Sequence, residues 1–511
     1  MSFIKEGMQW PPVDCQRYKL MEHSAWYSGD ADVLANFYAE DRSREFLNLT
    51  YTNANKNTFW RRQIKNLSDF FIHVPIANDI AETSAAFLFG ESPLIRFSDA
   101  QGQTQQELDT MLVESGFFQK LLEGAEIGSA LGGVFIKLCW DTDLSKYPIP
   151  VIVQPEDAFP EFRFGQLCAF DSLSNTFRKD SGDGSKVYRL FERYEKGKIS
   201  YRLYEGSSDR LGNQVPLTSI EETMGMQDEQ KVPDALFVVY VPNLLPNRLD
   251  RRSPAGRSDL QGIELMMDAL DEVFSAWMID IQFARGKIHL PADYLKKNDS
   301  GKISFNIDKN MYVELDADPT AIGSNAITVS QFAIRSAEFE STVLNLLDRI
   351  ITSAGYSPQS FGLNIAGRAE SGTALNVRER KSFSTTSKKQ AYWEGPIKKL
   401  VGLMLLAYNE ELGGHIVGDP EGITVEFCDS VSNNLTEICN AIKMLSDAKA
   451  ASTETKVRMA HPEWSDEQVD DEVAKIQEAD SLEVGNPDGN PDLAQMALEI
   501  DNEDQAEEEG I

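Results

Sequence analysis

The chain has 511 residues, enough for two to four folding units, and its 41 % hydrophobic and 25 % charged residues are ordinary for a protein with a buried core. Its net charge is −32, from 81 acidic against 49 basic residues. This argues against the basic face with which a free DNA-binding protein neutralises phosphates: either nucleic acid is irrelevant, or a polyanion must pass without being held.

The five cysteines, Cys15, Cys139, Cys168, Cys428 and Cys439, are scattered and odd in number, without CxxC or Cys/His ligand spacing. Neither a disulfide framework nor a zinc site is expected, and reduced thiols in a cytoplasmic setting are. Met1 to Pro12 lacks a basic start followed by an apolar run, so no signal peptide is expected. No stretch reaches the ~18 apolar residues of a membrane span.

In chain order, the first sixty residues are aromatic-rich, and Asp30 to Arg42 has helical apolar spacing. Val74 to Leu88 predicts an amphipathic helix ending at Gly90, with Pro93 just beyond. Helical periodicity returns from Gln106 to Ala130 and closes at Gly132-Gly133. The period then switches to two. Strands are predicted at Val134–Trp140, Val151–Gln154, Val187–Tyr194, Ile199–Tyr204 and Ala235–Val241, with loops at Asp171–Ser185 and Ser207–Val232. Residues 1 to about 250 thus read as one α+β domain.

Leu244 to Arg257, punctuated by Pro246, Pro254, Arg248, Arg251, Arg252 and Arg257, marks a boundary. Ser258 is the predicted cap of a long helix from Asp259 to Phe283, about 37 Å at ~1.5 Å per residue. A compact insert, Gly286 to Val329, carries candidate strands at Lys287–Leu290, Ile303–Ile307 and Met311–Leu315. A second helix is predicted at Gln331–Ala354, a loop at Tyr356–Glu370, and a third helix from Gly372 to about Leu412, kinked at Pro396. Ile423–Phe427 reads as a strand, and Leu435–Ala448 and Asp466–Ala479 as helices. From Asp466 to Ile511 seventeen acidic residues face a single Lys475, so this end carries half the net charge, and its last thirty residues are expected to be disordered.

Catalytic constellations are missing from the sequence. There is no GxxxxGK[ST], HExxH or GxSxG, and the five histidines lie far apart. Gly128 to Gly133 (GSALGG) reads as a tight helix-to-strand packing site rather than a nucleotide loop, and Asp141/Asp143 and Asp316/Asp318 as turn residues rather than cation ligands. No enzymatic activity, cofactor or metal is expected.

What remains is an order of parts: an α+β domain, a long helix, a compact β-rich insert, a second helix, a loop, a very long helix, then a helical segment with an acidic tail. With six local matches in the same order, this resembles the portal proteins of tailed bacteriophages, of the long-tailed type. The matches are VPIANDIAETSAAFLFGESP (Val74 to Pro93), GSALGGVFIKLCW (Gly128 to Trp140), VIVQPEDAFPEF (Val151 to Phe162), GRSDLQGIELMMDALDEVFSAW (Gly256 to Trp277), SPQSFGLNIAGRAESGTALNVRERKS (Ser357 to Ser382) and ITVEFCDSVSNNLTE (Ile423 to Glu437). They span roughly residues 50 to 480.

The resemblance implies the portal fold: a wing over 1–257, stem helices over 258–285 and 331–355, a β-rich clip over 286–330, a tunnel loop over 356–371, a kinked wing helix and strand over 372–430, a helical crown over 431–480 and an acidic tail over 481–511. It implies a homo-oligomeric, dodecameric ring in the virion, built in the bacterial cytoplasm at one capsid vertex, through which double-stranded DNA is packaged and ejected. The implied partners are that DNA, the terminase ATPase, a head-to-tail adaptor, and the major capsid and scaffolding proteins. Twelve helices about 10 Å wide, side by side, put their axes on a circle about 38 Å across and leave a bore of roughly 28 Å, wide enough for a duplex.

Three groups of residues follow from that assignment. Glu264, Asp268, Asp271 and Glu272 on the first stem helix are expected to line the channel as an acidic wall, or to be a plain solvated helix face. Asn364 and Arg368 sit among small residues of the tunnel loop, where the chain can approach DNA, a solvated arginine or an intersubunit salt bridge being the alternative. Lys287, Tyr294, Lys296, Lys297 and Lys302 form a basic cluster in the clip for partner docking, or else ordinary solvated lysines. Two other functions fit the composition: a metal-dependent DNA-processing enzyme using clustered carboxylates, and an acidic capsid scaffold or adaptor that never touches DNA.

Overall fold

The structure, a computed structural model, describes residues 4–12, 14–39, 59–60, 71–97, 102–181, 184–284, 287–291, 312–315, 328–330, 333–363, 372–416, 418–419, 422–427, 435–448, 450–461, 464 and 466–484. The chain forms two compact units, Met1–Cys428 and Asp429–Ile511.

The first unit begins with helices α1 (Cys15–Tyr27) and α2 (Ala31–Ala39). Asp14 caps α1 by accepting from the Arg17 amide at 2.8 Å. Helix α3 (Ile76–Phe89) lies where the apolar spacing predicts it, and a short strand β1 (Leu94–Phe97) follows. The single helix expected from Gln106 to Ala130 is two, α4 (Gly102–Glu114) and α5 (Phe117–Leu131). Gly116 between them has φ +68, a left-handed conformation that ends one helix and restarts the chain in another direction.

Strands β2 (Gly133–Cys139) and β3 (Ile149–Val153) come next. The apolar run of β2 is explained by its place as the middle strand of a three-stranded antiparallel sheet. Val134, Phe135, Ile136 and Leu138 are all buried. The next strands are β4 (Ala158–Arg163), β5 (Gln166–Ser181), β6 (Gly184–Glu195), β7 (Lys198–Gly206), β8 (Asn213–Val215), β9 (Glu229–Lys231) and β10 (Val238–Pro242). β10 is the partner of β2 on the side away from β3. β4 to β8 build a second sheet in chain order, with β9 added against β7.

The predicted loop at Asp171–Ser185 is instead most of a long β5–β6 hairpin. Its polar residues pair across strands rather than alternating with apolar ones. Arg193 donates to Asp171 at 2.7 Å, Glu161 at 2.9 Å and Glu195 at 3.1 Å, so a test for apolar alternation misses the strand.

Helix α6 spans Glu264–Phe283, starting five residues later than expected. Ser258 does not cap it: its hydroxyl bonds the Ala130 carbonyl and accepts from the Leu260 amide at 2.9 Å, and Gly262, at φ +92, breaks the helical path. β11 (Lys287–Pro291), β12 (Tyr312–Leu315) and β13 (Thr328–Ser330) make a three-stranded sheet in the order β12-β11-β13, within the expected insert. The expected strand at Ile303–Ile307 lies outside the described residues. Helix α7 (Ser336–Ala354) returns alongside α6, followed by α8 (Gly372–Glu410), with Pro396 inside it, and β14 (Ile423–Glu426), which pairs antiparallel with β1.

The larger core of this unit packs α3, α4, α5 and the C-terminal half of α8 around the β10-β2-β3 sheet, for example Phe89 edge-on to Trp393 at 4.9 Å. A second core joins α1, α2, the Phe59–Trp60 turn and the start of α3 to α6 and α7. The other unit carries α9 (Leu435–Asp447), α10 (Thr453–Ala460) and α11 (Asp466–Val484). α10 was not expected. It is short and polar, begun by Ser452, whose hydroxyl accepts from the Thr455 amide at 3.2 Å. The tail beyond residue 484 lies outside the described residues.

Candidate functional site

Helices α6 and α7 run side by side and flank the β11–β13 sheet in the chain. Trp277 on α6 stacks on Phe339 on α7, with ring centroids 5.9 Å apart and planes 8° from parallel. A turn further along, Arg335 grips Asp280 with three contacts of 2.9 to 3.1 Å. Glu338, Glu340 and Arg349 of α7 are exposed, Glu338 and Arg349 on one face of the helix.

The acidic positions of α6 were expected to form one outward wall. The structure turns three of the four inward. Glu264 and Asp268 are at most 9 % exposed and Asp271 is fully buried, while Glu272 is half-buried and has its own interactions. The physical reason is an irregular N-terminal segment whose amides need acceptors. Asp268 accepts from the Phe59 amide at 2.7 Å and the Trp60 amide at 3.2 Å. Asp271 accepts from the Trp60 indole at 2.9 Å and the Val74 amide at 2.9 Å, and its other contact is His73 Nδ1 at 2.8 Å. One turn on, Ser275 Oγ accepts from the Ile72 amide at 3.0 Å. Residues 264, 268, 271 and 275 follow the i, i+4, i+7, i+11 spacing of one helix face.

Glu264 is held by Lys19 Nζ at 3.0 Å, by the Gly262 amide at 2.8 Å and by His23 Nε2 at 3.1 Å. Burial alone would raise its carboxyl, but the His23 hydrogen bond and the Lys19 charge bring it down to about 2. Asp268 moves the other way: burial raises it, against the two amides that stabilise its charge.

A second buried cluster lies where α8, the segment before α6 and the chain after α7 meet α3, α5 and the end of β10. Lys389 on α8 and Asp259, both side chains 1 % exposed, form an ion pair. Lys389 Nζ also donates to Ser84 Oγ on α3 at 2.7 Å. Asp259 accepts from Ser129 on α5 at 2.6 Å, from Asn243 after β10 at 2.9 Å and from the Tyr356 hydroxyl after α7 at 3.0 Å. Burial pushes the Tyr356 phenol well above its ordinary value, and the negative charge of Asp259 adds to the rise. Beyond Tyr356 the chain is pinned to α8: the Ser357 amide donates to Ser382 Oγ at 2.9 Å, and Thr385 Oγ1 to the Gly355 carbonyl at 2.6 Å.

The GSALGG element is the packing site that its composition predicts. The chain of residues 256–259 lies directly on Gly132, so that a Cβ on Gly256 would fall 2.1 Å from the Gly132 carbonyl oxygen. Lys137, just after it, is buried and paired with Glu192 at 2.6 Å. Asp141 and Asp143 are exposed in the β2–β3 loop. Among the described residues no group of three or more His, Cys, Asp or Glu is placed to hold a metal, and no helix is long and apolar enough to cross a membrane.

Lys287 is the first residue of β11, in register with Ser330 of β13. Tyr294, Lys296, Lys297, Lys302, Asn364 and Arg368 lie outside the described residues. Sequence reasoning missed the Lys389–Asp259 cluster and the inward α6 stripe. The available signal was a charged residue at a helix position whose neighbours on the same face are apolar, such as Asp271 beside Met267, Leu270 and Phe274.

No curated protein matches the chain. Among solved structures it is similar to a chain of the virion of a native gene transfer agent (GTA) particle, with 10 % identity, TM-score 0.38, and 89 % of this chain and 96 % of that one covered. It is also similar to chains of the neck of a native GTA particle computed with C12 symmetry (12 %, 0.36, 75 % and 88 %) and of the neck of an empty GTA particle computed with C6 symmetry (11 %, 0.41, 89 % and 95 %). The family model described as "Phage portal protein, SPP1 Gp6-like" matches residues 14–485, nearly the whole chain and every element from α1 to α11. The chain therefore belongs to the phage portal protein family, SPP1 Gp6-like.

Proposed function

We propose that this portal protein closes into a dodecameric ring at one capsid vertex and forms the channel through which double-stranded DNA is packaged and later ejected. It acts without catalysis of its own, the energy coming from a terminase ATPase that docks on the ring and is later replaced by a head-to-tail adaptor. Major capsid and scaffolding proteins surround it in the virion, after assembly in the host cytoplasm. The observation that carries the reading is the family match over residues 14–485. The order of elements supports it: α6, the β11–β13 sheet and α7 make a paired-helix stalk with a small sheet in its connection, as stem and clip require.

In this reading the wing covers residues 1–257, the stem 258–285 and 331–355, the clip 286–330, the tunnel loop 356–371, the returning helix and strand 372–430 and the crown 431–480. Arg368 and Asn364 of the tunnel loop meet the DNA backbone, one set per subunit, giving weak repeated contacts rather than a tight hold. Lys287, Tyr294, Lys296, Lys297 and Lys302 serve docking at the clip. The channel-facing charge of the stem falls to Glu272 and to the exposed Glu338 of α7, since Glu264, Asp268 and Asp271 are occupied inside the subunit. An electronegative wall there keeps a moving duplex from sticking.

Negative-stain imaging and mass measurement of the purified protein test the ring. The expected result is an annulus with a central hole wide enough for a duplex and a mass near twelve times 57.2 kDa. A monomer under all conditions overturns it.

A further inference from the structure

The segment between β10 and α6 carries Arg248, Arg251, Arg252 and Arg257 within ten residues, in a chain whose net charge is −32. None of the four guanidinium groups has a carboxylate or hydrogen-bond partner among the described residues, and Arg248, Arg251 and Arg252 are exposed. The loop is nevertheless built, not loose. Asn247 donates to the Gly256 carbonyl at 3.2 Å and accepts from the Leu249 amide at 3.0 Å. Asp250 accepts from the Arg252 amide at 3.0 Å, and the Tyr240 hydroxyl from the Gly256 amide at 2.8 Å. The Arg257 guanidinium is lowered by burial and, next, by the positive charge of Arg248, which together outweigh the nearby carboxylate of Asp259. Leu249, 49 % exposed among these arginines, stands at the rim of a cavity of about 280 Å³ that Arg257, Phe135, Phe159 and Tyr240 also line.

At the opposite end of the same sheet the chemistry is inverted. The β2–β3 loop presents Asp141 and Asp143, both exposed, and Leu144, 78 % exposed. No cation pairs with either carboxylate among the described residues; Asp141 Oδ1 accepts from the Asp143 amide at 2.9 Å. The register fixes the separation of the two loops. Pro242, where the arginine segment begins, pairs with Gly133 at the start of β2, whereas the acidic loop leaves the sheet after Cys139, which pairs with Ile149. Seven residues of strand put the two loops about 20 Å apart on opposite ends of one rigid element.

A closed ring of identical subunits needs two different, complementary patches on opposite sides of each copy. Copies that each carry −32 also repel one another, so contact requires local matching of charge. We propose that the Asp141–Leu144 loop of one subunit docks on the Arg248–Arg257 loop of the next, its carboxylates on the arginines and Leu144 against Leu249 at the mouth of the cavity. The inference rests on the ring reading above and deepens it by naming the interface.

Two experiments on the full chain test it. In the first, Leu144→Cys and Leu249→Cys are combined and the assembled protein is oxidised. A ladder of covalent multimers is expected on a denaturing gel, absent from either single variant, which controls for the native cysteines; no ladder from intact rings overturns the proposal. In the second, Arg248→Glu, Arg251→Glu and Arg252→Glu are combined. Rings are expected to dissociate at several-fold lower NaCl than the wild type, with the far-ultraviolet spectrum unchanged, and Asp141→Arg with Asp143→Arg on the same chain is expected to restore them. Rings of unchanged salt resistance overturn the interface and leave the ring reading intact. Rings that persist but no longer retain DNA overturn it in favour of a phosphate partner. Failure of the wild type to form rings defeats the ring reading itself.

Discussion

Glu264 illustrates how one carboxylate ties pH to stability. Its carboxyl lies at about 2 in the folded protein against an ordinary 4.5, because Lys19 and His23 outweigh the burial that would raise it. A group depressed by folding contributes stability that is present above its unfolded value and is lost as pH falls through its folded value. The window is therefore pH 4.5 down to about 2. Above it, with the carboxylate fully ionised, Glu264 contributes on the order of 3 kcal/mol, at about 1.4 kcal/mol per unit. Asp268, raised by burial, acts with the opposite sign and partly offsets it. Glu264→Gln is expected to lower stability at pH 7 and to flatten the loss between pH 4.5 and 2, measured as urea midpoints across that range. An unchanged acid slope in the variant would show that the Lys19 and His23 contacts do not set this titration.

At the scale of the element, α6 is a helix whose polar stripe faces in. The stripe was legible as acidic residues at helical spacing but not as buried, because spacing tells which side chains share a face and not what covers that face. What covers it is the turn at Phe59–Trp60 and the strand-like run at Phe71–Val74, irregular segments with no periodicity to read. α6 supplies the acceptors for their amides at Phe59, Trp60, Ile72 and Val74. Asp271→Ala removes an acceptor from the Val74 amide and the Trp60 indole and a partner from His73 at once. A loss of about 3–5 kcal/mol is expected, well above that of an exposed Glu338→Ala on α7, which should stay within about 0.5 kcal/mol. Chemical denaturation of both variants checks the ranking. The helices whose apolar spacing reports packing directly, α3, α7 and α8, were readable to within a few residues. The β5–β6 hairpin was not, since ionic pairs such as Arg193–Asp171 replace apolar alternation there.

For the molecule as a whole, the order of elements could be read from the sequence because the long helices end at glycines such as Gly90, Gly132 and Gly355, even where, as over Gln106–Ala130, one expected helix is two. The joint between the parts could not. Lys389 and Asp259 are 130 positions apart, and nothing local to either says that they meet. Their ion pair brings together α3, α5, the loop after β10, the segment before α6 and the chain just beyond α7. A buried pair of this kind contributes little against a well-packed apolar substitute, yet breaking it from one side strands a charge. Lys389→Met leaves Asp259 buried with only neutral donors, and is expected to cost about 3–5 kcal/mol. Adding Asp259→Asn, which removes the stranded charge and keeps the hydrogen-bonding shape, is expected to recover about half of that loss or more. Thermal unfolding of the two single variants and the double variant closes the cycle. Additive losses would mean that the two groups stabilise the protein independently and that the joint does not hang on their pairing. Strong coupling would place the connection between the β10-β2-β3 sheet, the α6–α7 pair and α8 on this one contact.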